Sequence, residues 1–325
     1  MKHVFFLSGL FIIISCDTRP PQAYVPDSSG QINHLTVVMP KSSWRGDLGA
    51  VVSNHIATTY EGLPLDEPRF TLRYLEPEAF TGFGRHGRNV LWFLKDSINR
   101  FQLVQNQFAR PQVLGLVRGE DDEVMAEYIK ENANLLIASF HENERKEKIR
   151  RIKKSKTKDT TFETKYGIAL SYPTAYRIVK DTTNFLWIEK PIQKGTMNII
   201  AYVISENAFN PSSLERLVQI RDSIGQRHIP GRLPNTHMIT EAAYKPYFYK
   251  TKLGGQKAYL TKGMWEVKRD FMAGPFINYM VEDKNKKRWI AIEGFAFAPS
   301  VSKRDYMFEL SSILSTLEFS QAQKN

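Results

Sequence analysis

Cysteine is nearly missing from this 325-residue chain: it holds one, Cys16, which excludes an intramolecular disulfide and any thiolate metal cluster. No apolar run is long enough to cross a bilayer as a permanent helix, which takes roughly 20 residues. The chain also lacks a G-x-S-x-G nucleophile elbow and a G-x-x-x-x-G-K-[ST] phosphate loop, so neither acyl-transfer nor nucleotide chemistry is announced by a motif. His141-Glu142-Asn143-Glu144-Arg145 begins like a zinc-binding H-E-x-x-H but closes on arginine, which removes the second ligand from the helical face. The other histidines, His34, His55, His228 and His237 among them, are scattered. Neither a metal nor a cofactor is expected.

What is present begins at the amino end. Met1-Lys2-His3 is a short basic start, and Val4–Ile14 (VFFLSGLFIII) is apolar over the length of a secretory signal. It ends Ile13-Ile14-Ser15-Cys16, the branched-apolar, small, cysteine order of a bacterial lipobox. On that reading residues 1–15 are removed, Cys16 is lipidated, and acyl chains hold the protein to a membrane, each buried methylene contributing about 0.8 kcal/mol. Asp17–Ser29 is rich in proline and serine, and residues 16–33 are expected to be a flexible tether. The expected address is the bacterial envelope, with the outer membrane favoured.

Gly82-Phe83-Gly84-Arg85-His86-Gly87 matches G-x-G-x-x-G, yet a dinucleotide fingerprint needs a strand directly before it and a helix directly after it. Pro77 interrupts the preceding stretch, and Asn89–Leu94 (NVLWFL) reads as a strand. The run is therefore expected to be a flexible glycine loop, from which Arg85, His86 and Arg88 could contact an anion.

Net charge is +11, and Glu144–Lys158 carries +7 of it, nine cations against Glu144 and Glu147. Aromatics are not interleaved with these cations as nucleic-acid binding would require, so no nucleic-acid partner is expected. The segment Arg145–Lys158 reads as a solvated helix end and linker, or as a contact for anionic lipid or another envelope protein.

Apolar periodicity divides the body in two. Residues 34–143 alternate short strands with a helix over Asp47–Tyr60 and a long one beginning at Glu120–Glu123. Residues 144–160 form the basic helix end or linker. Residues 161–320 carry strands at Glu163–Pro173, Ala175–Asp181, Phe185–Lys190, Thr196–Ser205, Tyr247–Leu253, Ala258–Lys268, Phe276–Glu282 and Arg288–Phe297. Helices are expected after Ser212-Ser213-Leu214-Glu215 and from Ser302 onwards. The expected fold class is α+β: two domains, each a mainly antiparallel sheet with packed helices. Trp92, Trp187, Trp265 and Trp289 are read as core, and Phe271–Phe276 as a glycine–proline turn that either shapes a pocket rim or is only a turn.

The lipobox, Leu35–Met39, Phe80-Thr81-Gly82, Arg88-Asn89-Val90, Arg110-Pro111-Gln112, Arg221-Asp222-Ser223, Ile229-Pro230-Gly231, Asp270–Phe276, Glu293-Gly294-Phe295 and Lys303–Tyr306 together resemble the DUF4837 family of uncharacterised bacterial envelope lipoproteins. The resemblance spans essentially the whole chain and implies a lipid-anchored protein without assigned catalytic residues. Tyr166–Pro173, Tyr176–Asp181 and the closing Leu317-Glu318-Phe319 more loosely resemble the PsbP/Mog1-like fold. The leading functional expectation is a non-enzymatic binding or assembly module. The alternatives are a hydrolase of an envelope polymer and a carrier of a small or lipidic ligand.

Overall fold

The computed structural model describes residues 24–208 and 213–320. The signal peptide, Cys16 and the first part of the tether lie outside the described residues. The chain is α+β, and its described residues build two large sheets and one small two-stranded one.

The first half runs β1 (His34–Val38), α1 (Lys41–Arg45), α2 (Asp47–Ile56), β2 (Thr71–Leu75), β3 (Asn89–Lys95), β4 (Arg100–Gln105), β5 (Val113–Gly119) and α3 (Asp122–Lys154). Strand order is β2-β1-β3-β5-β4, and every pair is parallel except β4 with β5. This corrects the expectation of a mainly antiparallel first sheet. Parallel neighbours need crossovers, and only the β1-to-β2 crossover is helical, through α1 and α2. The β2-to-β3 crossover passes over β1 as an irregular loop with short 3-10 turns at Pro77–Ala79 and Gly82–His86. GFGRHG is therefore part of a loop laid across a sheet face. Gly84 is required there, because a Cβ would come 2.5 Å from the Ala79 carbonyl oxygen.

Odd-numbered residues of β1, Leu35 and Val37, face α2 and α3 in a core completed by Val52, Phe70, Leu91, Leu136 and Phe140. On the other face Val38, Val90, Leu114 and Phe80 form a smaller cluster beneath the crossover loop.

The second half runs α4 (Thr161–Tyr166), β6 (Ile168–Ala169), β7 (Arg177–Thr182), β8 (Phe185–Ile192), β9 (Gly195–Ser205), α5 (Leu214–His228), β10 (Met238–Thr240), β11 (Tyr247–Leu253), β12 (Gln256–Val267), β13 (Ala273–Asp283), β14 (Arg288–Phe297), α6 (Arg304–Leu314) and β15 (Glu318–Phe319). Its large sheet is antiparallel, in the order β10-β12-β13-β14-β9-β8-β7, with β11 also on β12. α6 covers one face through Met307, Phe308, Leu310 and Ile313. α5 covers the other through Leu217, against Tyr202, Trp265, Phe276 and Trp289.

Two expectations here are corrected. Residues 161–166 are helical, closed by Gly167 at φ 72°, where a strand is expected from Glu163. Gly274-Pro275 lies inside β13 and makes no turn; a Cβ at Gly274 would sit 2.0 Å from the Ala296 carbonyl oxygen of the neighbouring strand.

α3 is helical through Lys154, about 50 Å at 1.5 Å per residue. Residues 144–154 are not a free linker, because the helix holds the halves together. Ile152 enters the second core, as do Tyr60 and Leu63 from the first half. Lys148 pairs with Glu309 at 2.8 Å, and Lys190 bonds the same carboxylate. Glu67 of the first half accepts hydrogen bonds from the backbone N–H groups of Lys303 and Arg304, placing a carboxylate at the amino end of α6.

His141, on α3, packs edge-on to Phe308 at 5.3 Å. Burial, then the charges of Arg69, Lys262 and Arg145, pull its pKa from 6.5 down to about 4. The folded chain therefore keeps it neutral while the unfolded chain protonates it below pH 6.5. Its contribution is fully present above that pH and is lost as pH falls towards 4, amounting to at most about 3 kcal/mol. His141→Gln is expected to flatten the pH dependence of the denaturation midpoint over that window. An unchanged slope would contradict this assignment.

Candidate functional site

The crossover loop roofs a pocket of about 300 Å³, lined by Ser29, His34, Thr36, Arg73, Tyr74, Phe83 and Arg88 together with the backbone around Gly30, Gly84 and Gly87. Its floor follows from strand pairing. Thr36 stands opposite Arg73 on β2 and Val90 on β3, so the even-numbered residues of β1 share one face with Arg73. His34 and Thr36 are only half-buried, and Arg73 is exposed. Phe83 is 88% exposed.

The back wall is a buried polar network. Arg88 donates from Nε to Glu144 Oε1 at 2.9 Å and from Nη2 to Glu144 Oε2 at 3.0 Å. Asn89 Nδ2 (2.8 Å) and the Asn33 backbone N–H (3.1 Å) also donate to the Glu144 carboxylate. Asn143 Nδ2 ties the Arg88 carbonyl to Asn89 Oδ1. Both members of the ion pair have almost no exposed side-chain surface. Burial raises the Glu144 pKa against the pull of Arg88, first through its charge and then through its hydrogen bonds. Arg88 Nη2 further donates to the carbonyls of Gln31 (2.8 Å) and Gly30 (3.3 Å), whereas Nη1 has no hydrogen-bond partner in the protein.

These bonds also revise the tether. Gly30–Asn33 is docked, Asp27 bridges to Arg110, and Ser29 bridges to Gly87. Asn33 Nδ2 donates to Asp305 Oδ1 across to the second half. The docked chain therefore extends through at least residues 27–33 of the expected tether.

The three residues singled out in the glycine loop part ways. Arg88 lines the pocket. Arg85 turns aside, its guanidinium 4.8 Å from the Phe108 ring centre and its Nε donating to the Phe80 carbonyl. His86 packs against Phe83 at 5.2 Å and is not in the lining. His34 and Arg73, which the sequence does not single out for this site, complete it. Burial first, and then Arg73, Arg304 and Arg88, lower the His34 pKa, with Asp305 opposing. The cationic field of the pocket is felt at His34.

Most of the basic segment is spent internally. Arg145 grips Glu142, Arg150 and Arg151 both grip the buried Glu147, and Lys148 grips Glu309. Glu147's pKa falls to about 2, the Arg150 and Arg151 hydrogen bonds outweighing the upward push of its burial. Lys153, Lys154, Lys156 and Lys158 remain exposed at and beyond the end of α3. Arg145–Arg151 does not form a free cationic surface.

A second buried network ties α5 to its sheet. Arg221 donates from Nε and Nη2 to Glu293, at 2.8 Å for the shorter contact, and from Nη1 to Thr240. Asn278 Nδ2 also donates to Glu293, and the Arg221 guanidinium lies 3.9 Å from the Phe276 ring centre. Trp265 and Trp289 are core beside it.

Residues 155–316 match the family model described as Domain of unknown function (DUF4837). The second half is a DUF4837 domain. Residues 28–153 match a different model, Domain of unknown function (DUF8532). The DUF4837 match is thus confined to the second half, where the sequence resemblance spans the whole chain. The pocket belongs to the first half, and α3 ends as the DUF4837 domain begins.

No match is found among curated proteins. Among solved structures, the chain is similar to LpqN of Mycobacterium tuberculosis, described as involved in cell envelope biogenesis, at 12% identity and TM-score 0.29, over 46% of this chain and 82% of that one. It is also similar to the Saccharomyces cerevisiae Ran-binding protein Mog1p, at 9% identity and TM-score 0.32, over 48% of this chain and 91% of that one. A STAR-related lipid transfer protein from Xanthomonas axonopodis matches at 8% identity and TM-score 0.25, over 43% and 92%. Likenesses at these scores assign no activity to the DUF4837 domain or to its neighbour.

Proposed function

We propose that this chain is a lipid-anchored protein of the bacterial envelope that works by holding a ligand, without making or breaking bonds. The observation that carries the binding reading is the pocket beneath the crossover loop: three strands and a loop converge on one concave, cationic surface with an exposed aromatic lip. The two most deeply buried carboxylates, Glu144 and Glu293, support binding over hydrolysis, since each is committed to an arginine by several hydrogen bonds. A catalytic carboxylate needs access to substrate and a freedom to exchange protons that such pairing removes.

The anchor rests on Met1–Cys16, and the outer membrane is the proposed address. Among the described residues no helix is long and apolar enough to cross a membrane. Cys16→Ala is expected to abolish incorporation of radiolabelled palmitate in the bacterial host, while the unmodified chain is labelled. Equal labelling of the two chains would sink the lipoprotein reading.

A further inference from the structure

We propose that the pocket beneath the crossover loop binds an anionic saccharide, a sugar bearing a phosphate or a carboxylate. This deepens the binding reading and rests on it. The volume, about 300 Å³, is at the small end of ligand sites and suits one sugar ring with its charged group.

The anion's place is set by charge. Arg73 projects from β2 into the open part of the pocket, and Arg88 stands in the wall with Nη1 unpartnered. The nearby acids are already engaged: Glu144 by Arg88, and Asp305 by Arg304 and Asn33. Arg73 therefore meets an incoming phosphate or carboxylate without competition from either acid, in the two-pronged geometry that suits guanidinium. His34, with Nδ1 lacking a protein partner, lies against the same space.

The sugar's place is set by the remaining lining. The hydroxyls of Ser29 and Thr36 offer both donors and acceptors. Phe83 stands at the lip with nearly all its surface exposed, and His86 packs against it. A solvent-facing phenyl ring beside polar groups matches a pyranose, whose C–H face packs on the ring while its hydroxyls reach the polar wall. A bare inorganic anion leaves Phe83 without a role, and a neutral sugar leaves Arg73 without one.

The test uses the His34 imidazole proton resonances of the purified full-length chain in detergent. Glucose-1-phosphate and glucuronate are expected to shift them saturably, glucose to leave them unmoved, and inorganic phosphate to bind at least about tenfold more weakly. Arg73→Gln, an exposed position, is expected to weaken glucose-1-phosphate by at least about tenfold. Phe83→Ala, also at an exposed position, should weaken glucose-1-phosphate but not inorganic phosphate. Micelles doped with lipid A distinguish the source of the ligand: a saturable shift that excess glucose-1-phosphate converts to the position seen with glucose-1-phosphate alone marks a lipid-borne head, and no shift there marks a free sugar. Glucose binding as well as its phosphate, or Arg73→Gln binding normally, overturns the inference. If His34 moves only with some unrelated ligand, the saccharide falls and the binding reading stands. If nothing moves it, both fall.

Discussion

Glu144→Ala is expected to lower the unfolding free energy by about 3–5 kcal/mol, a large share of the roughly 5–15 kcal/mol that domains possess. The cause is what the substitution leaves behind. Arg88 would stay buried with its charge uncompensated, and Asn89 and the Asn33 N–H would each lose an acceptor. Burial of the pair is not in itself a source of stability, because removing two charges from water costs about as much as their attraction returns. The double variant Arg88→Met with Glu144→Leu is therefore expected to be more stable than either Arg88→Ala or Glu144→Ala alone. Denaturant titration of the four chains checks that order, and the coupling is measured with Arg88→Met and Glu144→Leu as the single variants. A loss below about 1 kcal/mol for Glu144→Ala would mean that water reaches the pair and that the pocket's back wall is not rigid.

Arg221→Ala is expected to be as damaging, again about 3–5 kcal/mol, for a related reason with a different geometry. Glu293 lies in the middle of β14 with no exposed surface, and Arg221 and Asn278 supply its side-chain hydrogen bonds. Losing Arg221 strands that carboxylate beneath α5 and strips the cation from the face of Phe276. Because Arg221 is on α5 and Glu293 on the sheet, the damage should be local first. Amide hydrogen exchange across Leu214–His228 should accelerate more than exchange in α6, on the opposite face. Uniform acceleration would show that α5 is not a separately held element.

Much of the fold is legible because periodicity survives without partners. β11 and β14 fall where alternation places them, and α5 starts at a serine cap, Ser213, which accepts the Arg216 N–H. Parallel pairing of β1 with β3 is not legible, because the β2-to-β3 crossover is loop rather than helix and leaves no 3.6-residue pattern to read. The helix at Thr161–Tyr166 is missed for a similar reason: six residues are too few to show a period.

The candidate site is legible in part. Arg88 is marked by its glycine-rich neighbourhood, yet its engagement with Glu144 joins residues 56 positions apart, and no local rule reports that. His34 and Arg73 meet only through strand register, so their convergence depends on the pairing that the sequence does not reveal. The stretches carrying the family resemblance, Arg88-Asn89, Arg221-Asp222, Glu293 and Arg304-Asp305, contain members of the polar networks described above. A run of cations such as Arg145–Arg151 reads as a free basic surface until the fold supplies Glu309 and turns Glu142 and Glu147 towards it.

Native mass spectrometry of the chain extracted from its own membranes is decisive, since a single spectrum reports both the anchor and the ligand. The expected species is a mature chain beginning at Cys16 and carrying acyl mass, together with a bound small molecule that is absent from the Arg73→Gln chain. A chain that still carries residues 1–15, bears no acyl mass and retains no ligand would contradict that expectation.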